Sequence, residues 1–410
     1  MDLISVAPVD TGNAPWERLT CDASIHEPAG LALHSLLEFF AHSFLVSSGY
    51  WEKDEASSET NRYLPVIMHA PSDELPYATA KSLRTLGKIR CVDEDFVVDE
   101  VPAYLPAGHG GHLFVRFEKR GLTTREAVTH LANALGVNPR DAGVAGQKDK
   151  HAVTTQWASF ERAEADAALK VEVPNVRVLT AVPHPHKLRT GHVRANRFEL
   201  IIRDASDLEA AREVLTVLQR DGVPNYYGEQ RFGVGERNVA RACAMLRGEA
   251  RAPRDRFERK MLMSALQSAL FNRWLAARVT ENLYARPVLG DLLRKEDTGG
   301  LFINQDNDEA LRRMQAWEVS ATGPMFGASM RRAEAEALVR EQAVFASSGL
   351  TEEMFAAHAK SGEGTRRAAR VRLTDCEVES TDVGLRLRFE LPSGAYATTV
   401  LREVMKLDAS

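Results

Sequence analysis

Apolar residues recur at two different periods along this chain, and each period predicts a set of elements. Lys88 to Val101 alternates as a strand does, with Phe96-Val97-Val98 at its centre. A glycine-rich turn, Gly108 to His112, leads to a second strand, Leu113 to Phe117. Thr123 with Glu126 forms a capping-box pattern. It opens a helix with Val128, Leu131, Ala132 and Leu135 on one face, closed by Gly136. Strand character returns at Ala152 to Phe160 and at Asn196 to Arg203. Ser206 with Glu209 then caps a helix that carries Leu208, Leu215 and Leu218 and ends near Gly222. Residues 224–233 mix aromatic, glycine and basic residues and read as a structured loop. From 234 to 366 the period is helical, with a long helix at Met261 to Val279 and a charged one at Arg331 to Phe345. Glycine turns are expected at Asp297 to Gly300 and Ala321 to Pro324. Leu385, Leu387, Phe389 and Leu391 alternate with Arg386, Arg388 and Glu390 as a half-buried antiparallel strand. A turn at Pro392 to Gly394 and a short helix, Ala397 to Met405, follow. Strand-rich parts thus flank a helical block, which predicts an α+β domain interrupted by an inserted one.

Length and composition narrow this picture. The chain has 410 residues, 44% of them hydrophobic, enough for two or three domains with their own cores. Its net charge of −5 means that any site for a polyanion is a local patch. The four cysteines, Cys21, Cys91, Cys243 and Cys376, are widely spaced, which argues against a zinc ribbon or disulfide framework and for a reducing cytoplasm. No signal peptide opens the chain, and the apolar run Leu31 to Val46 is too interrupted to span a membrane. Residues 1–67 read as an extension rich in Asp, Glu, Ser and Asn, with Met68 as an alternative start.

One stretch suggests chemistry. Gly146 to Gln156 sets the single carboxylate Asp149 between Lys148 and Lys150, just before a strand. Nearby cations favour an ionised carboxylate, which suits a nucleophile or a base. Read alone, it is also an ordinary charged turn. Basic residues gather at 187–203, 251–260 and 366–372 and are candidates for phosphate contacts. The pairs His109/His112 and His184/His186 lack a third ligand at metal spacing. Neither glycine turn of the helical block has the setting of a nucleotide-phosphate cradle.

Five segments in one order make the chain resemble the TruD pseudouridine synthases: Glu94 to Val98, Gly146 to Asp149, Asn196 to Phe198, Asn225 to Gly233, and Leu391 to Thr398. The resemblance covers roughly residues 75 to 408. It implies an α+β catalytic domain with a mixed, mainly antiparallel sheet, formed by 68–222 and 367–410. A mostly helical α/β insertion, 223–366, would interrupt it, leaving 1–67 as an extension of unknown role. It implies an isomerase that converts uridine to pseudouridine in tRNA, at position 13 in bacterial members, with neither metal nor cofactor. By the same resemblance Asp149 is the catalytic carboxylate, while Phe96, Asn196 and Phe198 bind substrate. Lys148 would support Asp149 or anchor a phosphate. A cytoplasmic monomer acting on tRNA, away from membranes, is expected. The alternatives are a TruD-like RNA-binding module without catalysis, and a hydrolase pairing Asp149 with His151 or His184.

Overall fold

The first strand starts later than its alternation predicts. The computed structural model describes residues 75–406, in which β1 runs Phe96–Pro102 and not from Lys88. Asp93–Asp95 form a 3-10 turn instead. The buried Asp95 carboxylate accepts the Val92 amide at 3.1 Å, and Arg203 Nε donates to its two oxygens at 2.9 and 2.8 Å. The chain is therefore turned before it extends, and Lys88 keeps only an isolated bridge to Arg203. The 1–67 extension, its apolar run Leu31 to Val46 and the start expected at Met68 lie outside the described residues.

β2 (His112–Arg120) is followed by α1 (Thr124–Ala134), which begins at the predicted capping box: Thr123 Oγ1 accepts the Glu126 amide at 3.2 Å, and Glu126 accepts the Thr123 amide at 2.7 Å. Next come β3 (Gly143–Val144), β4 (Val153–Glu161), α2 (Ala165–Leu169), β5 (Val176–His184) and β6 (Val193–Arg203). The cap of α3 (Leu208–Asp221) is Asp207 and not Ser206, since its carboxylate reaches the Ala210 amide at 3.0 Å, three residues on.

Residues 234–366 are helical as expected, but they also carry a sheet that periodicity does not show. After β7 (Val223–Pro224) come α4 (Arg237–Leu246), α5 (Arg256–Thr280), β8 (Leu292–Lys295), β9 (Leu301–Ile303), α6 (Asn307–Gln315), β10 (Val319–Met325), α7 (Ala335–Ser347), α8 (Glu352–Ala357) and β11 (Thr365–Ala368). The charged helix thus starts at Ala335, four residues later than expected. The strands pair in the order β11-β10-β8-β9. The turn expected at Ala321 to Pro324 is the middle of β10, every residue of which is buried. Its glycine serves packing, because a Cβ at Gly323 would lie 2.3 Å from the Trp274 ring and 2.8 Å from Phe271, both on α5. β12 (Arg370–Val371) then pairs with β7. β13 (Thr374–Thr381), β14 (Gly384–Pro392) and α9 (Ala397–Met405) complete the described chain.

The main sheet runs β13-β14-β6-β1-β4-β2-β5, with β3 added beside β4. Its neighbours are antiparallel except β1 with β4, so the fold is α+β with a mixed, mainly antiparallel sheet. The register aligns Phe96 with Leu200, Val98 with Phe198, and Glu100 with Asn196, while Val98 also faces Thr154. Side chains two apart share a face, so all of these lie on the same side. α3 and α9 cover that side over Phe198, Leu200, Phe389 and Leu391. α1 covers it over Val115, Phe117, Ala158 and Phe160 in a separate cluster. The strip between the two clusters is polar: Glu100, Thr154, Gln156 and Asn196. The opposite face carries charge pairs across strands, including Asp99 with Arg116 at 2.7 Å and Glu199 with Arg388 at 2.8 Å. No helix among the described residues is long and apolar enough to cross a membrane.

Because β10 and α5 meet at Gly323 without room for a methyl group, Gly323→Ala should lower stability by about 1–3 kcal/mol. The midpoint of denaturant unfolding measures this, and an unchanged midpoint would show that the contact is loose.

Candidate active site

Asp149 sits in the loop from β3 to β4, and the atoms that hold this loop are mostly main-chain atoms and buried charges. Lys119, on β2, donates to the Asp149 carbonyl at 2.6 Å. The Lys148 amide donates to Thr124 Oγ1, in the first turn of α1, at 2.9 Å. Thr124 in turn donates to Gln156 on β4 at 3.2 Å. The Lys148 ammonium reaches Glu100 on β1 at 2.5 Å, and both side chains are buried. The second Glu100 oxygen accepts the Trp157 amide at 3.2 Å. Three strands and one helix therefore fix the backbone at Asp149, while its carboxylate stays half exposed.

That carboxylate faces a cation, but not the one adjacent in sequence. Arg90 Nη2 donates to Asp149 Oδ2 at 2.7 Å. Lys148, expected either to support Asp149 directly or to anchor a phosphate, has its ammonium on Glu100. Its support passes through the loop. The Arg90 side chain is itself 9% exposed, and its guanidinium lies 4.0 Å above the Phe96 ring, a cation–π contact. Phe96 meets Phe198 edge to face at 6.2 Å between centroids, and Phe198 meets Phe389 at 5.4 Å. The structure thus links Asp149, Arg90, Phe96 and Phe198 in one chain of contacts. Asn196 lies beside Glu100, two residues from Phe198 on the same face.

The polar strip has polar atoms without partners. Asn196 Oδ1, Gln156 Nε2 and Thr154 Oγ1 are buried and make no hydrogen bond. Buried polar atoms are usually paired, so three unpaired ones on one sheet face are exceptional, and the Thr154 and Gln156 side chains are wholly enclosed. Arg90, Glu100, Lys119 and Thr124 were not anticipated from the sequence. Each lies at least 24 residues from Asp149, and no spacing rule connects them. Burial pushes the Lys119 amine down to about 8, against the pull of the Asp149 and Asp93 carboxylates.

The basic segments separate on folding. In 366–372, Arg366 bonds the buried Glu341, Arg367 bonds Asn225 and stacks on Tyr227 at 3.9 Å, and the Arg370 guanidinium donates to the Asp221 and Met314 carbonyls. These three arginines are structural and are not available to phosphate, which corrects that expectation. In 187–203, Arg194 and Arg197 pair with Glu390, and Arg203 pairs with Asp95. His184 stacks on Tyr104 at 5.3 Å, and Tyr104 bonds His192 at 2.6 Å. Among the described residues no group of three or more His, Cys, Asp or Glu is placed to hold a metal.

The sequence profile of a family described as tRNA pseudouridine synthase D (TruD) matches residues 74–253 and 254–404. A curated relative from Anaeromyxobacter dehalogenans, named tRNA pseudouridine synthase D, is 49% identical over 341 residues, 82% of this chain and 98% of its own. This chain belongs to the TruD family. A Thermus thermophilus relative of the same name is 44% identical over 339 residues, covering 82% of this chain and 94% of its own. The crystal structure of a Methanosarcina mazei TruD protein shares the fold, with a TM-score of 0.70 at 22% identity, over 81% of this chain and 96% of that one. The five TruD motifs thus occupy the sheet, the Asp149 loop, the loop leading into the helical block and the turn after β14.

Lys119 gives the candidate site a testable dependence on pH. Its folded pKa lies below the ordinary 10.5, so the unfolded chain holds that proton more tightly. Stability therefore gains from Lys119 as pH rises from about 8 to 10.5. Lys119→Met should remove this gain, and the stability difference between the two proteins should change across that window. Parallel stability curves would contradict the assignment.

Proposed function

We propose that this chain isomerises uridine to pseudouridine in tRNA, at the uridine of position 13, with Asp149 as the acting carboxylate. One observation carries the reading. A half-exposed carboxylate on a pinned loop stands beside two aromatic rings and a strip of buried, unpaired polar atoms. The family to which the chain belongs supports the same reaction.

The reaction breaks the bond from C1′ to N1, turns the uracil, and joins C1′ to C5. The C5 proton is lost and N1 gains one. A single carboxylate suffices: it either attacks C1′ or takes the C2′ proton to give a glycal, and both routes begin from the anion. The target base must leave its stack, at a cost of a few kcal/mol. Phe96 and Phe198 are buried, with Arg90 over the Phe96 ring, so the two rings form an apolar wall near the carboxylate, and Asn196 offers an acceptor to the uracil N3–H. Lys148 acts by fixing the loop through Glu100.

Residues 68–222 with 367–410 would then be the catalytic part, and 223–366 an insertion. The pairing of β7 with β12, where the chain leaves and rejoins the catalytic part, supports this division. A cytoplasmic monomer completes it, and the free thiols Cys91, Cys243 and Cys376 suit a reducing compartment.

Asp149→Ala should abolish tritium release from tRNA labelled at uridine C5, while melting temperature and tRNA affinity stay near those of the unaltered protein. Pseudouridine formation by that variant would refute the role of Asp149. Absence of release by the unaltered protein would favour the binding module without catalysis.

A further inference from the structure

The third basic segment, 251–260, keeps its cations. Residues 241–260 hold seven Lys and Arg against three Asp and Glu, in a chain whose net charge is −5. Two of the three acids have local roles. Asp255 caps α5 through the Phe257 amide at 2.9 Å, and Glu258 pairs with Arg241 at 2.5 Å. Glu249 remains. Arg251, Arg254, Arg256 and Lys260 are exposed, and no carboxylate pairs with them among the described residues. Arg259 Nη1 ties the preceding loop down by donating to the Pro253 carbonyl at 2.8 Å, so the cations stand on a fixed backbone.

Among these cations lies Phe257, 75% exposed. A phenyl ring has no polar tip to justify such exposure, and the other aromatic rings among the described residues are mostly buried. Its direction along α5 also matters. Phe257, Ser264 and Ser268 are seven and four residues apart in turn, and so share one face. That face receives Arg231, whose guanidinium bonds Ser264 and Ser268, from the loop 225–233. Two helical turns, roughly 10 Å, separate Phe257 from Ser264. Lys260 lies between them, so a stripe of positive charge runs from the motif loop to the exposed ring.

We infer that Phe257, rimmed by Arg251, Arg254, Arg256 and Lys260, is a second RNA contact, where an unpaired tRNA base stacks on the ring and the cations hold the flanking phosphates. The inference rests on the reading of the chain as a tRNA-modifying enzyme. A plain phenyl face accepts any base, so this contact adds affinity and orientation without choosing a sequence. Guanidinium groups suit the phosphates because they offer several donors in one plane.

The test measures affinity for an unmodified tRNA transcript by fluorescence anisotropy, with Asp149→Ala in every protein so that no turnover intervenes. Phe257→Ala should raise Kd about 5- to 150-fold, the range that loss of one stacked base gives. Phe257→Trp should restore binding, while Phe257→Leu, apolar but not aromatic, should not. Arg254→Gln with Arg256→Gln should reduce the slope of log affinity against log salt by about 1.5. Lys170→Gln, on the exposed end of α2, should leave that slope unchanged. A Kd for Phe257→Ala within twofold of its parent overturns the inference, as does an equal response to Lys170→Gln. So does a Phe257-dependent dimer in sedimentation with tRNA affinity unaltered, since the ring would then serve self-association. If the unaltered protein forms pseudouridine while Phe257→Ala binds normally, only the second contact falls. If it forms none, the proposed function falls first.

Discussion

Glu100 and Lys148 form a buried ion pair, and the geometry of the Asp149 loop depends on it. Two charges taken out of water cost several kcal/mol each, and their attraction repays this only with good geometry and further hydrogen bonds. Here the Lys148 ammonium meets Glu100 directly, and the other Glu100 oxygen accepts the Trp157 amide. Such a pair adds little to stability against an apolar replacement, yet removing one partner leaves a buried charge uncompensated, at about 3–5 kcal/mol. What it supplies here is position. It joins β1, β4 and the loop of Asp149 at one point, next to Asn196. Lys119 and Thr124 hold the same loop from β2 and α1.

The electrostatics sort into two kinds. Buried cations make architecture: Lys148 fixes the Asp149 loop, Arg366 and Arg367 fix β11 beside β10 and Asn225, and Arg370 ties β12 to the Asp221 and Met314 carbonyls. Exposed cations are left to the solvent or to a ligand. The negative net charge hides this distinction, because composition counts both kinds alike. Arg90 stands between them. It is almost buried over Phe96, yet its guanidinium faces the half-exposed carboxylate of Asp149. The polar strip and the two rings are thereby brought to the same edge of the α3 and α9 cluster.

Much of this was legible in the sequence. Elements with a strong period and a clear cap, such as α1 with Thr123 and Glu126, or β14 with its alternating leucines, fold where the pattern places them. Failures arise where tertiary contacts override local signals. Asp95 bends the start of β1 because Arg203, more than a hundred residues away, binds it. Gly323 looks like a turn residue because glycine usually is one, but here it admits the Trp274 ring. The residue types around Asp149 follow from the motifs. Their partners do not, since Glu100, Arg90 and Lys119 reach the loop across strands whose register no local pattern records. Arginine-rich 366–372 resembles a phosphate-binding patch because sequence alone carries no information on burial.

Glu100 and Lys148 act as one unit to place Asp149. A double-mutant cycle on single-turnover pseudouridine formation tests it, with Glu100→Gln, Lys148→Met and both together, in variants shown to be folded. Each single change should slow the reaction, and the double variant should be no slower than the worse single one, the two effects being strongly non-additive. Losses that simply add, or a Glu100→Gln variant with unaltered rate, would contradict it.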